Sequence, residues 1–248
     1  MNQADPFAIA LINAYRTGVP CDVAQSIGPL TTPLAYATQR AVWLAMVGNV
    51  RPTAWKVGAP AQDAEPVAAP VFPARLTASP ARLGRALFTK LGVEAEIAFR
   101  FGRDLPARPT PYTRPEIIAA IASAHVSMEL VDSRLADPQA AGPLWCLADN
   151  LLNGALVVGD AIPGWRDLDF SAQTARVHAG AAMIHASLGR PPLDDLFHCL
   201  AWWIEHVGGA RRGDLVTTGA WSGMHPVALP NHLEVEFAEL GVARASVG

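Results

Sequence analysis

At 248 residues, 51% of them hydrophobic, the chain is long enough to bury a sizeable core without requiring two domains. Its formal charge is −3, and no dense basic stripe interrupts it, which argues against nucleic-acid binding. No apolar run is long enough to cross a bilayer, Met1 to Asp5 lacks a signal-peptide pattern, and the scattered Cys21, Cys146 and Cys199 suit a reducing compartment. A cytoplasmic globular protein with neither nucleic-acid nor membrane partners is expected.

In chain order, the first fifty residues read as helical. Phe7, Ala10, Leu11 and Ala14 fall on one helical face. Thr32 and Pro33 form a cap and first-turn pair for a second helix to about Met46, stopped by Gly48. Residues 1–53 are thus expected to be a helical portion laid against a β-rich core of residues 54–248. From Ala54 the texture changes to short β-like runs broken by Gly and Pro. Strands are expected at Ala54 to Val57, Val93 to Phe101, Val126 to Val131 and Leu156 to Val158. Later ones are Leu215 to Thr218, Val227 to Leu229, His232 to Phe237 and Val242 to Val247. Gln62 to Pro80, rich in Ala and Pro, reads as an irregular connection.

Two helices interrupt the strands. Thr113 with Glu116 has capping-box spacing for a helix through about Ala122. Leu193, Leu196, Phe197, Leu200, Ile204 and Val207 form an apolar stripe ended by Gly208 and Gly209. Strands and helices do not alternate regularly, so the expected class is α+β.

The segment with chemical content is Val93 to Phe101. Val93, Ala95, Ile97, Phe99 and Phe101 occupy one face of a strand, and Glu94 and Glu96 project from the other, about 7 Å apart along the backbone. Val126 to Val131 repeats the device, with Glu129 opposite Val126, Met128 and Leu130. Such a pattern is usually a solvated face. Three carboxylates from two strands also make an oxygen-ligand site for Mg²⁺ or Mn²⁺, with open positions for a chelating 2-oxo acid.

Six local matches, in order along the chain, bear on that choice. They are Ile27 to Leu30 with Tyr36 to Gln39, Trp55 to Gly58, Val93 to Phe99, Met128 to Arg134, Ala148 to Asn150, and Gly213 to Gly219. In these the chain resembles the fumarylacetoacetate hydrolase superfamily, in its 2-keto-4-pentenoate hydratase and 4-oxalocrotonate decarboxylase branch. The resemblance implies a β-rich roll with a helical N-terminal portion, and a divalent cation held by Glu94, Glu96 and Glu129. It implies Lys56 as the catalytic lysine of a Lys-x-Gly motif, with Asp149, Asn150 and Thr218 as substrate-binding residues. It also implies a homo-oligomer, or a complex with a related decarboxylase.

The chain departs from the family pattern in three places, one of them the loop Ala68 to Pro80. Glu65-Pro66-Val67 stands where the family has a segment like Glu-Pro-Asp, and Gly189 to Pro192 replaces a His-Pro segment. The implied activity is hydration of a 2-hydroxy-2,4-dienoate to a 4-hydroxy-2-oxo acid in aromatic catabolism. Decarboxylation of a 2-oxo-dicarboxylate is the alternative, with Arg75 or Arg82 as candidate cations for its second carboxylate. A third reading is an inactive paralogue serving as an assembly partner, which the loss of the acid at Val67 supports. Hydrolysis of an acylpyruvate ranks lower, because no histidine precedes His125. Ser222 misses the spacing of a nucleophile elbow, and there is no phosphate-binding glycine loop.

Overall fold

A computed structural model describes residues 6–23, 30–188 and 195–248. Two helices open it, α1 (Pro6–Thr17) and α2 (Thr32–Met46). The cap of α2 is Thr31, one residue earlier than expected. The chain then enters β1 (Ala54–Gly58), β2 (Val67–Pro70), β3 (Leu76–Ala78) and β4 (Ala81–Leu83). The supposedly irregular Gln62 to Pro80 therefore contains two strands, which the structure corrects. β2 is antiparallel to β1, and β3 is parallel to a strand eighty residues away in sequence, so neither pairing shows as a local hairpin signal.

Next come β5 (Leu91–Phe101), β6 (Leu105–Pro106), α3 (Arg114–Ala120) and β7 (Ile121–Val131). The capping box forms as read, with Thr113 N and Oγ1 both donating to Glu116. The helix stops two residues early because the chain passes directly into β7 at Ile121. Short helices α4 (Pro138–Ala141) and α5 (Pro143–Ala148) lead to β8 (Asn153–Ala161). A hairpin follows, β9 (Thr174–Ala179) and β10 (Ala182–Leu188), which the sequence reading missed. Then come α6 (His198–His206), β11 (Gly209–Ala210), β12 (Leu215–Thr217), β13 (His225–Val227), β14 (Asn231–Phe237) and β15 (Gly241–Val247). Leu193 and Gly189 to Pro192 lie outside the described residues, as does Ile27 to Pro29.

One sheet has the order β2-β1-β12-β5-β7-β8-β3, with β13 also on β5, and a second has the order β10-β9-β14-β15-β4. The fold is α+β, with a curled sheet. The apolar face of β5 is wholly enclosed: Val93, Ala95, Ile97, Phe99 and Phe101 pack with Trp203 of α6 and with Val235 and Phe237 of the second sheet. Burying each of the larger side chains contributes about 1.5–3 kcal/mol. Gly159 of β8 admits the backbone of β15, since a Cβ there would collide with the carbonyl of Val242. A smaller core joins α1 and α2 to α5 and Phe72. Among the described residues, no helix is long and apolar enough to cross a membrane.

Candidate metal centre

The polar face of β5 is where the chemistry gathers. In the antiparallel register with β7, Glu94 lies opposite Glu129, and Glu96 opposite Ser127. Directly paired residues share a face, so all four side chains emerge together. On the other side of β5, Thr217 of β12 lies opposite Ala98, two positions beyond Glu96. Lys56 of β1 pairs with Thr217 in turn, which brings the lysine to the same face. One carboxylate oxygen from each of Glu94, Glu96 and Glu129 lies within 4.8 Å of the others. Glu96 and Glu129 are fully buried, so this is not a solvated face.

Each buried carboxylate has one oxygen fixed and one left over. Glu129 Oε1 accepts from Lys56 Nζ at 2.7 Å and from Asn153 Nδ2 at 2.9 Å. Glu96 Oε2 accepts from Thr217 Oγ1. Among the described residues, Glu129 Oε2 and Glu96 Oε1 are buried without a hydrogen-bond partner. An orphaned buried acceptor costs about 1–3 kcal/mol, and more when charged. Two such oxygens beside a third carboxylate are the donor set a hard divalent cation requires, so the residues fit such an ion.

The electrostatics agree. Burial, then the charge on Glu129, pushes the Glu94 carboxyl up to about 7 against the pull of Lys56. Glu96 is raised well above the carboxylate range, first by burial and next by Glu129. Burial works against the Lys56 ammonium, but Glu129, Glu94 and Glu96 more than offset it and hold the lysine above its ordinary value.

A raised carboxyl takes up a proton on folding. Its contribution to stability is therefore complete below about pH 4.5 and is lost as pH rises through about 7. In EDTA, the melting temperature of Glu94→Gln should exceed that of wild type by more at about pH 8 than at about pH 5. A constant difference across that range, read by scanning fluorimetry, would contradict the assignment.

The lysine is held from a second side. Asn150, Leu151 and Leu152 have φ values of 52°, 52° and 61°, three consecutive left-handed residues. Each costs roughly 1–2 kcal/mol in a residue with a side chain. The turn aims the Leu151 carbonyl at Lys56 Nζ, 2.9 Å away. Asp149, at the start of this turn, is bound to Arg134 Nε at 2.6 Å, to Arg134 N and to Ser133 Oγ. Asn150 donates to the Tyr15 hydroxyl, and Thr218 Oγ1 to the Ile97 carbonyl.

Among the described residues, no side-chain hydrogen bond joins Asp149, Asn150 or Thr218 to the three glutamates or Lys56. The structure thus gathers Glu94, Glu96, Glu129 and Lys56, and places Asp149 and Asn150 in the brace behind them. The hydroxyl on Glu96 is that of Thr217. Asn153 and Thr217 escaped the sequence reading, although strand alternation places Thr217, not Thr218, on the face shared with Glu96. Ser222 is structural: its Oγ accepts from Ala95 N and donates to the Gly223 carbonyl.

No family model matches the chain. A 2-keto-4-pentenoate hydratase of Paraburkholderia phymatum is 29% identical over 164 residues, covering 62% of this chain and 59% of that protein. The match thus spans less than two thirds of this relative's length. Among solved structures, 4-oxalocrotonate decarboxylase from Pseudomonas putida G7, complexed with magnesium and adipate, superposes with a TM-score of 0.82. It covers 98% of this chain and 96% of its own at 18% identity. A fumarylacetoacetate hydrolase family protein from Yersinia pestis CO92 gives 0.58 at 18% identity, over 79% of this chain and 92% of its own. The chain is thus similar in sequence to a 2-keto-4-pentenoate hydratase, and it shares the fold of 4-oxalocrotonate decarboxylase and of a fumarylacetoacetate hydrolase family protein.

Proposed function

We propose that the chain is a divalent-metal-dependent lyase that adds water to a 2-hydroxy-2,4-dienoate, giving a 4-hydroxy-2-oxo acid in the breakdown of aromatic compounds. The observation that carries this reading is the pair of unpartnered, buried oxygens on Glu96 and Glu129 beside Glu94 and Lys56. Glu94, Glu96 and Glu129 would hold Mg²⁺ or Mn²⁺. Such an ion supplies positive charge against which the carboxylate and keto oxygens of a 2-oxo acid are held. The relative from Paraburkholderia is named for this hydration, and the structural neighbour from Pseudomonas binds magnesium.

The chain's own groups have definite parts. Lys56 Nζ has given two of its three N–H bonds to Glu129 and Leu151, which leaves one for a substrate oxygen or for proton transfer at that oxygen. Thr217 and Asn153 fix the rotamers of Glu96 and Glu129 and so hold the free oxygens in place. The sheet beside this face is apolar, with Ala98, Leu156 and Leu215 buried in one cluster.

A second reading rests on Val67. Val67 is two positions from Ala69, which pairs with Lys56, so it sits on the lysine's face of the sheet and packs against the helical core. An aliphatic side chain there favours a 2-oxo-dicarboxylate decarboxylase or its assembly partner over the hydratase. Self-association belongs to the same proposal, supported by the exposed Met183 and Ile184 on the edge strand β10.

The test is ultraviolet loss of 2-hydroxypenta-2,4-dienoate with Mn²⁺ or Mg²⁺. Loss abolished by EDTA and by Glu94→Ala is expected. No loss with either metal, in protein shown to bind Mn²⁺, would reject hydration and leave the Val67 reading.

A further inference from the structure

A cavity of about 610 Å³ lies away from the carboxylates, at the seam where α2 meets β1 and the end of α6. β1 separates the two sites. Its residues alternate, so Lys56 faces the carboxylates while Trp55 lines the cavity and meets Trp203 edge-on. Trp43 of α2 contributes a second indole.

The charge of this cavity runs against that of the protein. In a chain with a formal charge of −3, it is lined by Arg40, Arg51 and Arg211, and no aspartate or glutamate is among the lining residues. Arg51 is already neutralised. Its guanidinium bonds both carboxylate oxygens of Asp214, at 2.6 and 2.7 Å, and the carbonyls of Pro52 and Gly209. Among the described residues, the guanidiniums of Arg40 and Arg211 have neither an ion pair nor a hydrogen bond. They come from α2 and from the loop after β11, and both are exposed at the same cavity. Two unpaired guanidiniums and two indoles lining one cavity complement a flat apolar body carrying an anionic group, of which a carboxylate is the simplest. The volume is within the range of small-molecule sites and far exceeds that of a bare inorganic anion.

We infer that this cavity is a second ligand site, distinct from the metal centre, which takes an aromatic carboxylate with its ring against Trp55 and Trp43 and its carboxylate on Arg40 and Arg211. The site needs neither the metal nor Glu94.

The experiment is titration of the full-length protein with benzoate, read by calorimetry and tryptophan fluorescence, with acetate in parallel. Saturable benzoate binding with quenching is expected, with acetate at least about tenfold weaker. The double variant Arg40→Ala/Arg211→Ala, both at exposed positions, should weaken benzoate at least about tenfold, and Glu94→Ala should leave it unchanged. Loss of binding in Glu94→Ala, indifference to the two arginines, equal affinity for acetate, or no saturation by about 10 mM would each overturn the proposal.

Discussion

Glu96→Gln is expected to do two things of opposite sign: abolish divalent-metal binding and stabilise the metal-free protein. In the absence of an ion, Glu96 is fully buried, with one oxygen held by Thr217 and the other unpartnered. Glu94 and Glu129 add like charge beside it. An amide keeps the acceptor that Thr217 uses and replaces the orphaned oxygen with a donor facing two carboxylates. Metal-free Glu96→Gln should therefore melt a few degrees above wild type. Its affinity for Mn²⁺, read by calorimetry or paramagnetic resonance, should fall by at least about 100-fold, the upper end of what losing a supporting residue alone costs. A residue with only a packing role would give neither the gain nor the loss. A variant that binds Mn²⁺ as wild type does would remove Glu96 from the ligand set.

The second large effect belongs to the brace. Asp149→Ala is expected to cost about 3–5 kcal/mol, the range for breaking one side of a buried ion pair, and to lower Tm by roughly 10 °C. Asp149 is wholly buried, and Arg134 almost so. Burial opposes the charge on Arg134, and the adjacent Asp149 more than offsets it and holds the guanidinium well above its usual value. Without Asp149, that cation remains among Tyr15, whose ring lies 4.5 Å from it, and the Asn153 carbonyl, with no counter-charge in contact. Because Asp149 also begins the left-handed turn that presents Leu151 to Lys56, turnover should fall further than the loss of folded protein accounts for. Equal Tm values by calorimetry would refute this account of the pair.

How much of this was legible beforehand follows from the range of the forces involved. The Glu-x-Glu strand declared itself because strand alternation is local: apolar and acidic residues change places at every step from Val93 to Ile97, and the apolar face continues through Phe99 and Phe101. The box at Thr113 and Glu116 is equally local, with its two members three positions apart. β9 and β10 were missed because Thr174 to Leu188 is rich in alanine and lacks bulky alternation, and β9 is held in the sheet by β14, far along the chain. β2 and β3 hid among prolines and alanines for the same reason. Within the site, Lys56 and Glu129 are 73 residues apart, and the bond between them depends on a pairing order that no local pattern encodes. That Asp149 binds Arg134, and that Asn153 supports Glu129, are likewise consequences of tertiary placement.

The position of β12 has a consequence for how the protein is made. It hydrogen-bonds to β1 on one edge and to β5 on the other, so the strands carrying Lys56 and the Glu94–Glu96 pair share no edge of their own. During synthesis β1 and β5 both leave the ribosome well before Leu215 to Thr217, and one edge of each waits for that segment. Closing so long a loop by parallel pairing is slow, and the waiting edges are exposed to other chains in the meantime. A nascent chain stopped short of residue 215 could already pair β5 with β7 and gather the three glutamates, but it would have no strand to seat Lys56 beside them.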